Sequence, residues 1–209
     1  MVWVAEVDRD TKELLEALVV LPPPDVENID VILVTHEHDD HCSLDALKQI
    51  REKNPQAEII THEAVGKKLA TIGASYTPIK DEEEIERRGV SISSRGKTHA
   101  RIHPDIPIIT NTGFLIAKWL LYPGDSFYDP HLPVEILVLP VSAPWMRIEE
   151  AIEYAKDIKP KIVFPVHDGM LKLECRGSSR ALPEKLLTPL GIEWRDMVEG
   201  SVLDAQIPL

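Results

Sequence analysis

The sequence predicts an α/β protein built as a sandwich of two sheets, and three observations carry that reading. Short apolar runs alternate along the chain with segments of helical period. Two of those runs, "IDVILVTHEHDDH" and "VEILVLPVSAPW", each open from an apolar strand into polar residues, an echo that suggests two similar halves. Finally, 209 residues with 44% apolar and 28% charged side chains can bury a core without staples, so the whole chain, 1–209, is expected to form a single domain.

The elements follow in order. Residues 1–24, "MVWVAEVDRDTKELLEALVVLPPP", read with a helix-like middle. Residues 30–35, "DVILVT", form an apolar strand, and Ser43 is positioned to cap a helix over 44–53 with Leu44, Leu47 and Ile50 on one face. "AEIIT" (57–61) and "HEAVGKKLATI" (62–72) repeat that unit. "DEEEIERR" (81–88) sets Glu83 against Arg87 and Glu84 against Arg88 at i,i+4, the pattern of a solvated helical turn. From Val90 to His103 the even positions are mostly apolar, which predicts one extended strand with Arg95, Lys97, His99, Arg101 and His103 on its other face. "GFLIAKWLLY" (113–122) reads as two strands joined by a tight turn at Ala117-Lys118. A strand over 134–140, an amphipathic helix over 147–158 and a strand over 161–166 come next, then a short helix from Ala181 and a weak final strand.

Charge narrows the function. The 35 acidic residues outnumber the 23 basic ones, for a formal charge of −12, and that field repels nucleic acid and anionic lipid. No apolar window reaches the roughly 18 residues of a membrane span, and no basic flank precedes an apolar run at the N-terminus. Cys42 and Cys175 show no CxxC spacing, so a reduced, cytoplasmic protein is expected.

The chemistry concentrates in His36-x-His38-x-Asp40-His41. A strand ending at Thr35 puts His36 and His38 on one side, and the turn toward the Ser43 helix can swing Asp40 and His41 to the same point. Imidazole and carboxylate donors suit Zn²⁺, Mn²⁺ or Fe²⁺, and four of them on one turn invite a pair of ions. Acids near a helix N-terminus would account for Asp39 or Asp40 but not for three histidines.

Further donors must come from His62, His99, His103, His131 or His167 and from acids at strand ends. Asp125 in "YPGDS" and His167 after "KIVFPV" occupy such ends, where α/β sites assemble. Four extended residues separate His99 from His103 by about 13 Å, at ~3.3 Å each, so one of them is a ligand. His99 is the choice, with His103 left for substrate or proton transfer. The basic stripe of Arg95, Lys97 and Arg101 fits either a small anionic substrate or the solvated face of an edge strand blunted with basic residues.

With this histidine series, "GDS" at Asp125 and the terminal His167, the sequence resembles the metallo-β-lactamase-fold superfamily. The wording "THEHDDH", "NTGFLI", "YPGDS" and "PVHDG" is similar to its branch of metal-dependent hydrolases that includes L-ascorbate-6-phosphate lactonase-like proteins, over residues 29–171. The resemblance implies an αβ/βα sandwich of two packed mixed sheets with outer helices and the metals at one edge. It implies that His36, His38 and His99 hold a first divalent ion, Asp40, His41 and His167 a second, and that Asp125 bridges them. Zinc is the first choice, with manganese or iron as alternatives. The expected reaction is attack of a metal-bridging hydroxide, oriented by Asp40 or Asp125, on an ester, lactone or phosphoester.

Lys97, Arg101 and His103 are the expected substrate contacts; Tyr128, His131 and Trp145 could line the pocket, and Cys42, Ser126 and Asp168 could support the ligands. A di-iron redox protein on this fold would carry a carboxylate in place of His38. The family opens with a strand pair, a glycine-histidine turn and an aspartate closing the second strand, from which residues 1–24 depart, and the alternative function is therefore a metal-binding scaffold with reduced or no catalysis. Self-association stays open.

Overall fold

Both faces of the central strands are apolar because each strand is covered twice, by the opposite sheet and by helices. The computed structural model describes residues 2–7, 13–18, 27–196 and 202–206. Its first half contains β1 (Val2–Val7), β2 (Glu13–Leu18), β3 (Ile29–Leu33), α1 (Leu44–Lys53), β4 (Glu58–Thr61), α2 (Glu63–Ala70) and β5 (Thr77–Pro78). There follow β6 (Glu84–Arg87), β7 (Val90–Arg95), β8 (Gly113–Ile116), β9 (Leu120–Tyr122), β10 (Ile136–Pro140), α3 (Ile148–Ile158) and β11 (Ile162–Val166). Then come α4 (Leu173–Leu187), β12 (Glu193–Trp194) and β13 (Val202–Gln206).

One sheet has the order β13-β2-β1-β3-β4-β5 and the other β12-β11-β10-β9-β8-β7-β6. Both are mixed. The first is antiparallel around β1 and parallel from β3 to β5, while the second is antiparallel from β6 to β9 and parallel from β9 to β12.

The period of two decides which side chains meet. Val31, Leu33 and Ile60 of the first sheet pack with Ile92, Phe114, Ile116, Leu120, Val138 and Phe164 of the second. Their neighbours in the same strands face outward: Ile32, Val34 and Ile59 pack with Leu47 and Ile50 of α1 and Val65 and Leu69 of α2. Likewise Leu137, Leu139 and Val163 pack with Ala151, Ile152 and Ala155 of α3. Phe164 is fully buried between the sheets, so Phe164→Ala is expected to cost about 3–5 kcal/mol in a denaturant titration. A loss under ~1 kcal/mol would mean that the sheets do not share this core.

Several elements match the expectation closely. Ser43 caps α1 through Oγ, which accepts from the Ala46 amide at 3.3 Å, and the helix ends with Arg51 and Lys53 in its last turn. Ala117 and Lys118 have φ of 51° and 68°, a left-handed pair that matches the strand twist of the β8–β9 hairpin.

Four expectations are corrected. Residues 84–87 are the edge strand β6, not a helical turn; Arg88 and Gly89, with φ of 53° and 81°, close its hairpin with β7. Its charges serve neighbouring strands instead of i,i+4 partners: Arg87 Nε donates to Glu58 Oε2 at 2.7 Å, and Ser91 Oγ donates to Glu84 Oε1 at 2.7 Å.

The long strand from Val90 stops at Arg95, because Gly96 has φ of 81° and the Tyr128 ring lies 2.8 Å from where a Cβ would stand. Beyond it the alternation fails, for His99 is buried while Ala100 is only half-buried.

The helix-like middle of residues 1–24 is β2, since pairing with β1 on one side and β13 on the other overrides the helical propensity of "ELLEAL". A strand pair of the kind that usually opens the family pattern is therefore present, and the rest of that segment, residues 1, 8–12 and 19–24, lies outside the described residues. Finally, α4 begins eight residues before Ala181 and runs through Pro183. The weak formers Gly177-Ser178-Ser179 hid its first half, which tertiary contact sustains through Arg180 and Asp168. Among the described residues no helix is long and apolar enough to cross a membrane.

Candidate metal centre

Five loops at strand ends build the site: those after β3, β7, β9, β10 and β11. The first runs from His36 to Cys42 and is folded by amide bonds from His41 and Cys42 to the His38 carbonyl, at 3.0 and 2.7 Å. Lys68 pins it from outside, its Nζ donating to the Glu37 carbonyl at 2.7 Å and to Asp39 Oδ1 at 2.6 Å.

The Asp125 turn is clamped by Asn111, whose Oδ1 accepts from the Asp125 amide at 3.0 Å while its Nδ2 donates to the Pro123 carbonyl at 2.9 Å. Gly124 permits that approach, because a Cβ there would stand against Asn111 Oδ1 and 2.9 Å from Thr35 Cβ. The Asp125 carbonyl accepts from the Ala100 amide at 2.8 Å, which draws the His99 loop to the same place. His167 is left-handed, with φ of 67°, a conformation uncommon outside glycine.

All seven residues expected to be ligands come together. Three groups of donor atoms, each within 4.8 Å, are His36 with His38 and His99, His36 with His41 and Asp125, and Asp40 with His41 and His167. His36 Nε2 lies 3.1 Å from His38 Nδ1, and His41 Nε2 lies 3.0 Å from His167 Nε2. Asp125 divides its oxygens between the two sides. Oδ1 is 3.1 Å from His41 Nε2 and 3.2 Å from His167 Nε2, whereas Oδ2 is 3.3 Å from His99 Nε2. Asp40 Oδ2 is 3.5 Å from His167 Nε2.

The backs of the rings are held as well. Carbonyls only accept, so His99 Nδ1–H donates to the Ala100 carbonyl and His167 Nδ1–H to that of Ser142, both at 2.6 Å. That leaves Nε2 of each ring facing inward with a free lone pair when neutral. Thr35 Oγ1 lies 3.0 Å from His36 Nδ1 and 3.2 Å from His41 Nδ1 and does the same for both.

The electrostatics follow from burial and this crowding. Burial pushes His36 far below the usual histidine range, with the neighbouring His41 adding to it, and burial pushes His41 down to about 4 against the pull of Asp125. For Asp125 burial works to raise the carboxyl and is outweighed by the close approach of the His167, His41 and His99 rings, which hold it well below the carboxylate range. Burial likewise opposes the charge on His167, yet the nearby Asp125 and Asp40 carboxylates push it up to about 10. Asp40 is drawn down to about 2, first by its bond to His167. The centre is thus a pair of ionised carboxylates, with His167 drawn toward its charged form beside them and His36 and His41 kept neutral by burial.

Among the described residues, buried His99 Nε2 and Asp125 Oδ1 have no hydrogen-bond partner, although each has a donor or acceptor within about 3.3 Å. The atoms converge on shared points instead of on one another, which a divalent cation would satisfy and a hydrogen-bond network does not.

Other candidates lie elsewhere. Lys97 Nζ is exposed and 3.7 Å from Asp81 Oδ2, Arg101 is exposed, and His103 and His131 are exposed beside Asp105 and Asp129. His62 caps α2 and bonds the Thr35 carbonyl at 3.1 Å. Cys42 is buried and free, and Asp168 is engaged by Arg180 at 2.7 and 3.1 Å. Trp145 does reach the centre, its Nε1–H donating to Asp125 Oδ2 at 2.7 Å. Sequence reasoning missed Thr35, Lys68 and Asn111; only Thr35, adjoining the motif, offered a signal.

Residues 10–167 match the beta-lactamase superfamily domain, and the chain belongs to that superfamily. It is a metal-dependent hydrolase by kinship, as its relatives show. Protein Rv0786c of Mycobacterium tuberculosis is 31% identical over 157 residues, 73% of each chain. UPF0173 metal-dependent hydrolase Ta0764 of Thermoplasma acidophilum is 29% identical over 166 residues, 75% of this chain and 70% of its own. The solved structure of Igni18, a metallo hydrolase from Ignicoccus hospitalis, shares the fold with a TM-score of 0.66 at 18% identity, over 96% of this chain and 95% of that one.

Proposed function

We propose that the chain hydrolyses an ester, lactone or phosphoester of a small molecule with the help of two divalent ions, zinc before manganese or iron. The observation that carries this is Asp125, one oxygen facing His41 and His167 and the other facing His99, between two donor triads. Bound divalent ions lower the pKa of a water from 15.7 toward ~7 and polarise a carbonyl or phosphoryl oxygen. His36, His38 and His99 hold one ion, and Asp40, His41 and His167 the other.

Asp125 is a buried shared ligand, and Asp40, which is only partly covered, is placed to orient the attacking water and receive its proton. The motif wording shared with lactonase-like proteins makes a lactone the first substrate class to try. Arg101, exposed on the loop after His99, is the group left to meet an anionic substituent, since Lys97 and His103 each stand 3.7 Å from a carboxylate, that of Asp81 and that of Asp105. The pairing of β1 with β2 supports the enzyme reading over a catalytically reduced scaffold. Two free cysteines fit a reducing, cytoplasmic setting.

Elemental analysis of protein purified without chelator should find about two zinc or manganese ions per chain. Chelation should abolish hydrolysis across an ester, lactone and phosphoester panel, and zinc should restore it. Protein that stays metal-free after incubation with these ions would overturn the proposal.

A further inference from the structure

The carboxylate that faces both triads is gripped by a side chain outside the ligand set. Trp145, in the loop after β10, is partly buried, and its indole N–H donates to Asp125 Oδ2 at 2.7 Å. The ring is not free to drift. It stands edge-on to His99, 6.2 Å between centroids at 76°, and to Phe127, 5.0 Å at 64°. Phe127 in turn packs 5.1 Å from Tyr154 of α3, which is buried and donates its hydroxyl to the Tyr128 carbonyl at 2.6 Å. An aromatic ladder rooted in a core helix therefore fixes where the N–H points.

That matters because a carboxylate's last torsion is broad and nearly two-fold, so packing alone does not hold Asp125 in one orientation. Its backbone amide is fixed by Asn111, but that leaves the oxygens free to turn. The indole contacts Oδ2 alone. Oδ2 is the oxygen 3.3 Å from His99, while Oδ1 faces His41 and His167 and accepts nothing from Trp145.

We infer that Trp145 is a positioning residue that holds the plane of the Asp125 carboxylate by bonding only the oxygen that faces His99, and so tunes the ion held with His36, His38 and His99 separately from the one held with Asp40, His41 and His167. This rests on the two-ion reading above.

The test is a zinc titration against a competing chelator, on the wild-type chain and on Trp145→Phe, which keeps a ring in the ladder and removes the N–H. The variant is expected to bind one ion about 10-fold more weakly, the lower end of what loss of an outer partner costs a metal site. Its other binding step should stay within about twofold of wild type, whatever the lost bond to buried Asp125 costs the metal-free protein in melting temperature. Two ions on the wild-type chain with neither step changed in the variant would overturn the inference alone. Equal weakening of both steps would assign Trp145 to packing and overturn it too. Fewer than two ions on the wild-type chain would overturn the two-ion reading and this inference with it.

Discussion

Asp125→Asn is expected to lower hydrolysis by roughly 10²–10⁴-fold and to release at least one of the bound ions. The substitution keeps the shape of the side chain and, through the backbone amide, its anchor on Asn111 Oδ1. What it removes is the charge. Either orientation of the new amide turns a donor group toward ring nitrogens that present lone pairs, toward His41 and His167 on one side or toward His99 on the other.

A cation between those nitrogens would then meet an N–H₂ where it had met a carboxylate oxygen. The loss in affinity should exceed the 10–100-fold typical of an outer-partner mutation. Metal content and turnover measured on one preparation decide the matter. If the variant keeps two ions and turns over within about threefold of wild type, Asp125 is not shared between the triads.

The parts of this centre that were legible in the chain are those that a local rule can reach. His36 and His38 follow from the period of two at a strand end, and Asp40 and His41 from the turn into a capped helix. Asp125 and His167 could be placed because each closes an apolar run, and the apolar character of both faces of β3 and β10 announced a sheet covered twice.

His99 was reached with the wrong geometry. It lies in a loop, not a strand, because Gly96 turns the chain away, and the bond from the Ala100 amide to the Asp125 carbonyl brings it to the site. The error over β6 has a similar origin: Glu and Arg at i,i+4 satisfy a helix rule, but their true partners, Glu58 and Ser91, are contributed by other segments. β2 is a strand only because β1 and β13 flank it. Lys68 and Asn111 carry no local pattern at all, since what they do is bridge loops 29 and 14 residues away.

Thr35→Val should weaken ion binding by about 10–100-fold and cost about 1–3 kcal/mol of stability for each ring N–H left buried without a partner. Thr35 is fully buried, and its Oγ1 lies between His36 Nδ1 and His41 Nδ1. With both rings offering Nε2 to the centre, both Nδ1 atoms carry hydrogen, and the hydroxyl's two lone pairs accept one from each.

Valine reproduces the branched shape and the extended backbone, so the backbone contacts should survive. These are the bond from His62 Nε2–H to the Thr35 carbonyl at 3.1 Å, and the Thr112 amide to the same oxygen at 2.8 Å. His62 is committed to that tautomer, since its Nδ1 accepts from the Ala64 amide at 3.2 Å. The substitution therefore acts on the two ligand rings and little else. Thr35→Ser restores the hydroxyl and should restore ion affinity to within about threefold. If Thr35→Val binds both ions as tightly as wild type, the ions alone set the ring tautomers and the hydroxyl between them is filler.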